Sequence, residues 1–260
     1  MTEPTVAPAD AAPAPEKSAA VWEDFIDVFT QPSAVFARRR EGKFGAALLI
    51  LMALMTATFF ATRPLIQPMF DRMFDAQTAA VARSNPNMSE EQRRSMQSSM
   101  ERMTSVMLPL GAVVGTPILV LISAAVLFGT SRLAGAALSF GQAATVATYA
   151  NVPRVLGGIA GAAVLAVKDA NELPVLQSAP TGPVLLLARD ASPLLVAVLS
   201  RFDLFTIWCT VLTGIGVAVM ARTARSRGFA AAAMLWGVAS LWAVLSALRA
   251  AAAMAGGGVE

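Results

Sequence analysis

The sequence predicts an all-α fold: a polytopic membrane protein with five transmembrane helices and an N-terminal interfacial amphipathic helix. Three observations carry this expectation. Of 260 residues, 56% are apolar even with the 18 glycines left out, against roughly 45 to 50% in ordinary globular chains with glycine counted. Only 14% are charged and the mean hydropathy is +0.60, which leaves too little polar surface to solvate a particle of this size. Five apolar runs are long enough to cross a hydrocarbon core of roughly 30 Å, which takes about 20 residues at 1.5 Å per residue.

Residues 1–20 are rich in Ala, Pro, Thr and acidic side chains and have no periodic apolar positions. Such a segment cannot bury enough surface to offset the entropy of ordering, so it reads as a disordered tail. Glu3, Asp10 and Glu16 precede any apolar run, a pattern opposed to a cleavable signal peptide. The membrane domain is expected over 21–251. From Trp22 to Phe36, the residues Trp22, Phe25, Ile26, Phe29, Val35 and Phe36 share one helical face, interrupted by Pro32. The cluster Arg38, Arg39, Arg40 and Lys43 follows. An amphipathic segment ending in cations beside an apolar run suits a helix in the membrane interface, its charges facing anionic headgroups. Packing on the protein's own end is the alternative.

The spans fall near 45–62, 106–128, 150–168, 203–221 and 229–250, with an extramembrane helical loop over 63–105. Arg222, Arg225 and Arg227 fill the turn between the last two spans. With the 38–43 cluster and Arg132, they predict a cytoplasmic N-terminus under the positive-inside rule. The loop carries six arginines on the other side, nearly balanced by acidic residues. Within it, Ser89 and Gln92 have the spacing of a capping box, and Met96, Met100, Met103 and Met107 then form one helical stripe. That stripe suits packing against the loop itself or an adaptable docking surface.

Gly111 and Gly115 in the second span and Gly157 and Gly161 in the third both read GxxxG, a spacing that lets helices approach closely within one chain or across a homo-oligomer. Asn151, Val152 and Pro153 should break the third apolar run, leaving 143–150 as an interfacial or re-entrant helix and Arg154 near the inner boundary, where it can snorkel. Asp203 sits at the start of the fourth span as an N-cap, near the outer boundary, with Arg201 off its helical face. Arg154 and Asp203 are therefore expected not to meet. A charge at the bilayer centre costs roughly 2.5 to 3.5 kcal/mol on insertion scales, and if either lies there it is a functional candidate.

The rare residues exclude much chemistry. The chain has no histidine, so Ser-His-Asp and Cys-His nucleophile pairs and zinc-protease helices are impossible. Its one cysteine, Cys209, can form neither an internal disulfide nor a thiolate metal cluster. No second intramembrane carboxylate accompanies Asp203, and there is no phosphate-binding glycine loop with its lysine. No catalytic residue, metal or other cofactor is expected. The net charge of +3 comes from 20 Lys and Arg against 17 Asp and Glu. The basic residues flank apolar runs rather than forming a stripe, so no nucleic-acid partner is expected.

Phe25, Pro32 and Phe36 before the first span, Phe140-Gly-Gln142 leading to Tyr149 and Pro153, and Asp203-Leu-Phe205-Thr-Ile-Trp208 followed by Gly214 and Gly216 together resemble the Yip family of five-span membrane proteins, in its bacterial branch. The resemblance spans roughly 22–250. It implies a compact five-helix membrane domain with a cytoplasmic N-terminus, and eukaryotic members are linked to Rab-type GTPases, vesicle traffic and membrane shaping. The Asp-Leu-Tyr-Gly-Pro element of some of those members is missing, and no GTPase partner is carried over. The preference for arginine and alanine over lysine suggests a GC-rich bacterial source, hence a multi-pass protein of the bacterial inner membrane.

The functional expectation is a noncatalytic integral membrane protein that organises the lipid bilayer or membrane and cytoplasmic partner proteins. The alternative is a channel, transporter or transporter subunit using the broken third helix and Asp203. Tyr149, Asn151, Pro153, Arg154, Asp203 and Trp208 are the polar and aromatic positions on which either would draw.

Overall fold

The computed structural model describes residues 20–84, 89–167, 181–188 and 191–256. The tail expected over 1–20 lies, apart from Ala20, outside them. The described residues are helical and contain no strand: α1 (Asp24–Thr30), α2 (Pro32–Arg38), α3 (Gly45–Ser84), α4 (Glu90–Arg102), α5 (Leu108–Leu133), α6 (Phe140–Ala150), α7 (Pro153–Val167), α8 (Pro193–Leu199), α9 (Leu204–Met220) and α10 (Arg225–Gly256). A π-helical turn at Met103–Met107 joins α4 to α5.

Four helical stretches are long and apolar enough to cross a membrane: Gly45–Gln67, Ser105–Leu133, Phe140–Val167 and Arg225–Arg249. A fifth forms if α8 and α9, bent by 51° at Asp203, count as one broken span. The chain is a multi-pass membrane protein. Most exposed large side chains are apolar, among them Leu119, Ile122, Leu241 and Trp242. That would be intolerable in water and is what a lipid-facing belt requires.

The third span differs from the 150–168 expected. It begins at Phe140, and Ala143 through Ala150 are all buried, packed by α1, α5 and α9. The segment expected to lie at the interface is instead the first half of the apolar stretch Phe140–Val167, packed in the bundle core. Its start is fixed by a reciprocal cap: Ser139 Oγ accepts the Gln142 N–H at 3.2 Å, and Gln142 Oε1 accepts the Ser139 N–H at 3.0 Å. The capping box expected at Ser89 and Gln92 is also present.

The core runs through the residues that meet between α1, α2, α3, α5, α6, α9 and α10, with Phe36, Leu51, Leu127, Val146, Tyr149 and Val217 at its centre. Helices α9 and α10 meet through glycine. A Cβ on Gly228 would overlap the carbonyl oxygen of Gly214 and lie 2.8 Å from Ala218 Cβ. Gly42, at φ +78°, presses its carbonyl against Gly141, and the left-handed conformation plus the close approach leave room for no side chain there.

Helix α3 has 40 residues, about 60 Å at 1.5 Å per residue, or twice the hydrocarbon thickness. Its second half continues beyond the span, and α4 packs against it on the way back into α5.

Candidate functional site

Two polar constellations lie within this apolar frame. The first ties the N-terminus to the bundle. Helices α1 and α2 have seven residues each, too few to be stable alone, so packing must hold them. Phe25, Val28, Val35 and Phe36 are buried. The Phe25 and Phe36 rings pack on Tyr149 at centroid distances of 5.5 and 6.5 Å, and Phe29 meets Trp208 edge-on at 5.2 Å.

Asp24 closes this contact. Its side chain is 0% exposed, yet Arg38 Nη2 donates to Oδ1 at 2.7 Å, Arg39 Nε donates to Oδ2, and the Tyr149 hydroxyl donates to Oδ2 at 3.2 Å. Arg38 also reaches Asp27. The hydrogen bond it donates to Asp24, and then that to Asp27, raises the Arg38 guanidinium above its ordinary pKa despite the opposing effect of burial. A buried carboxylate is tolerable because every oxygen is met by a cation or a hydroxyl.

The basic cluster expected to face headgroups is thus turned inward. Arg38 and Arg39 serve Asp24, Arg40 Nη2 donates to the Val219 carbonyl at 3.0 Å, and Gln142 Nε2 holds the Arg40 carbonyl at 3.0 Å. Lys43 pairs in the open with Glu41 at 2.7 Å. The physical reason is Asp24: it neutralises one cation that water or lipid would otherwise serve, and it anchors a second. Only Trp22 and Ile26 of the amphipathic face stay exposed.

The second constellation lies at membrane depth. Arg154 lines a hollow with Met55 and Ser123. Met55 is ten residues from Gly45, and Ser123 ten from Leu133, each about 15 Å from the basic end of its helix and about halfway across the core. Arg154 therefore does not sit at the inner boundary. The boundary expectation failed because α6, taken as interfacial, fills the first half of the apolar stretch Phe140–Val167 and places Arg154 near its middle.

A neighbouring cavity of about 390 Å³ is lined by Arg154, Arg201 and Asp203 together, with Gly157, Gly182 and Thr206. Arg154 and Asp203 thus share a cavity, but among the described residues no hydrogen bond or ion pair joins them. The bend at Asp203 carries α8 back over the bundle and brings Arg201 and Asp203 opposite α7. Arg154 Nε donates to Asn151 Oδ1 at 2.7 Å, and Asn151 Nδ2 donates to the Ala147 carbonyl at 2.7 Å. Arg201 Nε donates to Ser240 Oγ at 3.2 Å, and the Arg201 carbonyl accepts Trp236 Nε1. Asp203 Oδ1 caps α9, accepting the Phe205 and Thr206 N–H groups at 3.0 and 3.1 Å.

A family model of the Yip1 domain matches residues 26–247. The chain belongs to the Yip family. No curated protein and no solved structure matches it. The Yip1 domain runs from the first turns of α1 to the last span, so the N-terminal hairpin is part of the domain rather than an appendage, while Asp24 stands just before the matched segment.

The structure sorts the expected packing positions. Pro153 is buried at the start of α7. A Cβ on Gly157 would meet the Phe205 ring at 3.1 Å, so this glycine seats α7 on α9, and buried Gly161 lies one turn further on. A Cβ on Gly111 or Gly115 would meet nothing within 4 Å among the described residues. Met103 and Met107 are each 49% exposed and Met96 is half-buried. Two determinants escaped sequence reading, Asp24, whose partners are 14 to 125 residues away, and Gly228; Arg201, placed off the helical face of Asp203, shares a cavity with it instead. Gly228 follows the arginine turn where a glycine is unremarkable, and no local signal marks it.

Proposed function

We propose that this Yip-family protein is a noncatalytic organiser of the membrane, presenting a helical arm to partner proteins, and that it sits in a bacterial inner membrane with its N-terminus cytoplasmic. The observation that carries this reading is the length of α3. About 60 Å of continuous helix is twice what a span needs, so its outer half, backed by α4, forms an arm beyond the lipid. Helix α4 is strongly charged and exposed, which suits an aqueous surface. The half-exposed thioethers of Met103 and Met107 at its base suit an adaptable contact. Arginines at Arg40, Arg132, Arg222, Arg225 and Arg227 gather at the opposite end and support a cytoplasmic orientation.

Crosslinking in native membranes with mass spectrometry tests the reading, comparing the intact chain with a variant in which residues 72–98 are replaced by a short linker. The expected result is a reproducible protein partner captured by the intact chain and lost from the variant. Capture that is identical without the arm, or self-crosslinks alone, would remove it.

A further inference from the structure

We propose that the cavity between α7, the bend preceding α9 and residues 181–188 is a binding site for an oxyanion, a phosphate or carboxylate group, clamped by Arg154 and Arg201. Arg154 lies about halfway across the apolar slab, and Arg201 bonds Ser240, about 22 Å along α10 from Arg225 and still within a core of about 30 Å; an uncompensated charge there is costly and rarely retained without use. Among the described residues neither forms a salt bridge. Asp203, the one carboxylate on the cavity among the described residues, commits Oδ1 to capping α9. Among the described residues, two cations and one anion leave an excess positive charge that a bound anion would neutralise.

The way the arginines are held points the same way. Each is anchored through Nε, Arg154 by Asn151 and Arg201 by Ser240, and each anchor is fixed in turn by a carbonyl one helical turn back, Ala147 and Trp236. Apart from the approach of Arg154 to the Cys209 thiol, the paired terminal nitrogens of the two side chains carry no hydrogen bond among the described residues. Those nitrogens form the fork that matches an oxyanion in two-point contact. The 390 Å³ volume equals about a dozen waters at ~30 Å³ each, enough for a phosphate with part of its substituent. The group could be supplied by a lipid headgroup drawn inward or by a free anion.

The test uses the full chain in an uncharged detergent at low ionic strength, titrated calorimetrically with inorganic phosphate, dihexanoyl phosphatidic acid and, as the uncharged control, dihexanoylglycerol. Saturable binding of at least one anionic probe is expected, with none of the glyceride, and both Arg154→Gln and Arg201→Gln should weaken it tenfold or more. Tighter binding of phosphatidic acid than of phosphate identifies a lipid headgroup site; equal affinities identify a free-anion site. No saturable binding, or unchanged affinity in folded variants, overturns the proposal. Should a variant not fold, modification of the unsubstituted protein by phenylglyoxal decides: a saturating anionic probe should slow the labelling of Arg154 and Arg201 at least fivefold, and unchanged labelling overturns the site.

Discussion

Replacing Asp24 with asparagine should release the N-terminal hairpin without unfolding the bundle. The substitution keeps the size of the side chain and removes the charge that Arg38, Arg39 and Tyr149 converge on. Breaking a fully buried ion pair costs about 3 to 5 kcal/mol, mostly from the stranded partner. Here the partners are only partly buried, with Arg38 33% and Arg39 22% exposed, so they can regain water and the expected loss falls to about 2 kcal/mol. That is about a 30-fold rise in the population of the open hairpin. Hydrogen exchange read by mass spectrometry, on protein in lipid nanodiscs, reports the opening directly. Amides of residues 24–38 should lose about 30-fold protection while those of α9 and α10 keep theirs. Tyr149→Phe, which removes one hydrogen bond to a charged group worth about 1.5 kcal/mol, should give a smaller effect in the same peptides. Protection within threefold of wild type for Asp24→Asn would refute the view that this carboxylate holds the hairpin, and equal loss throughout the bundle would show that the hairpin is not a separate unit.

Gly228→Ala forces a methyl onto the Gly214 carbonyl, a backbone atom that cannot rotate away. It should cost about 2 to 3 kcal/mol as overpacking, whereas Gly115→Ala, in open space, should be neutral or stabilising by up to about 1 kcal/mol. Reversible unfolding in mixed micelles checks both, and equal effects would mean that the α9–α10 contact is misassigned. Asp203→Ala should lose about 1 kcal/mol with the α9 cap, and Asp203→Asn, whose amide oxygen can accept the same N–H bonds, should lose much less. If the asparagine variant is as unstable as the alanine variant, the charge of Asp203, rather than its cap, is what the fold uses.

Sequence alone determined the solvent, the helical class and some of the helix starts. Apolar run length is a local property, and the capping box at Ser89 and the N-cap at Asp203 are read within three residues. The family was legible because several weak motifs keep their order along one chain. Tertiary structure decided what those helices share. Whether Arg38 faces a headgroup or Asp24, and whether Arg154 lies at a boundary or in mid-membrane beside Arg201, depends on which half of the third span α6 fills and on the 51° bend at Asp203. Periodicity states which face of a helix is apolar, but the energy of a buried charge depends on what stands opposite it. The carboxylate of Asp24 meets Tyr149 from 125 residues away, and only the packed bundle brings them together.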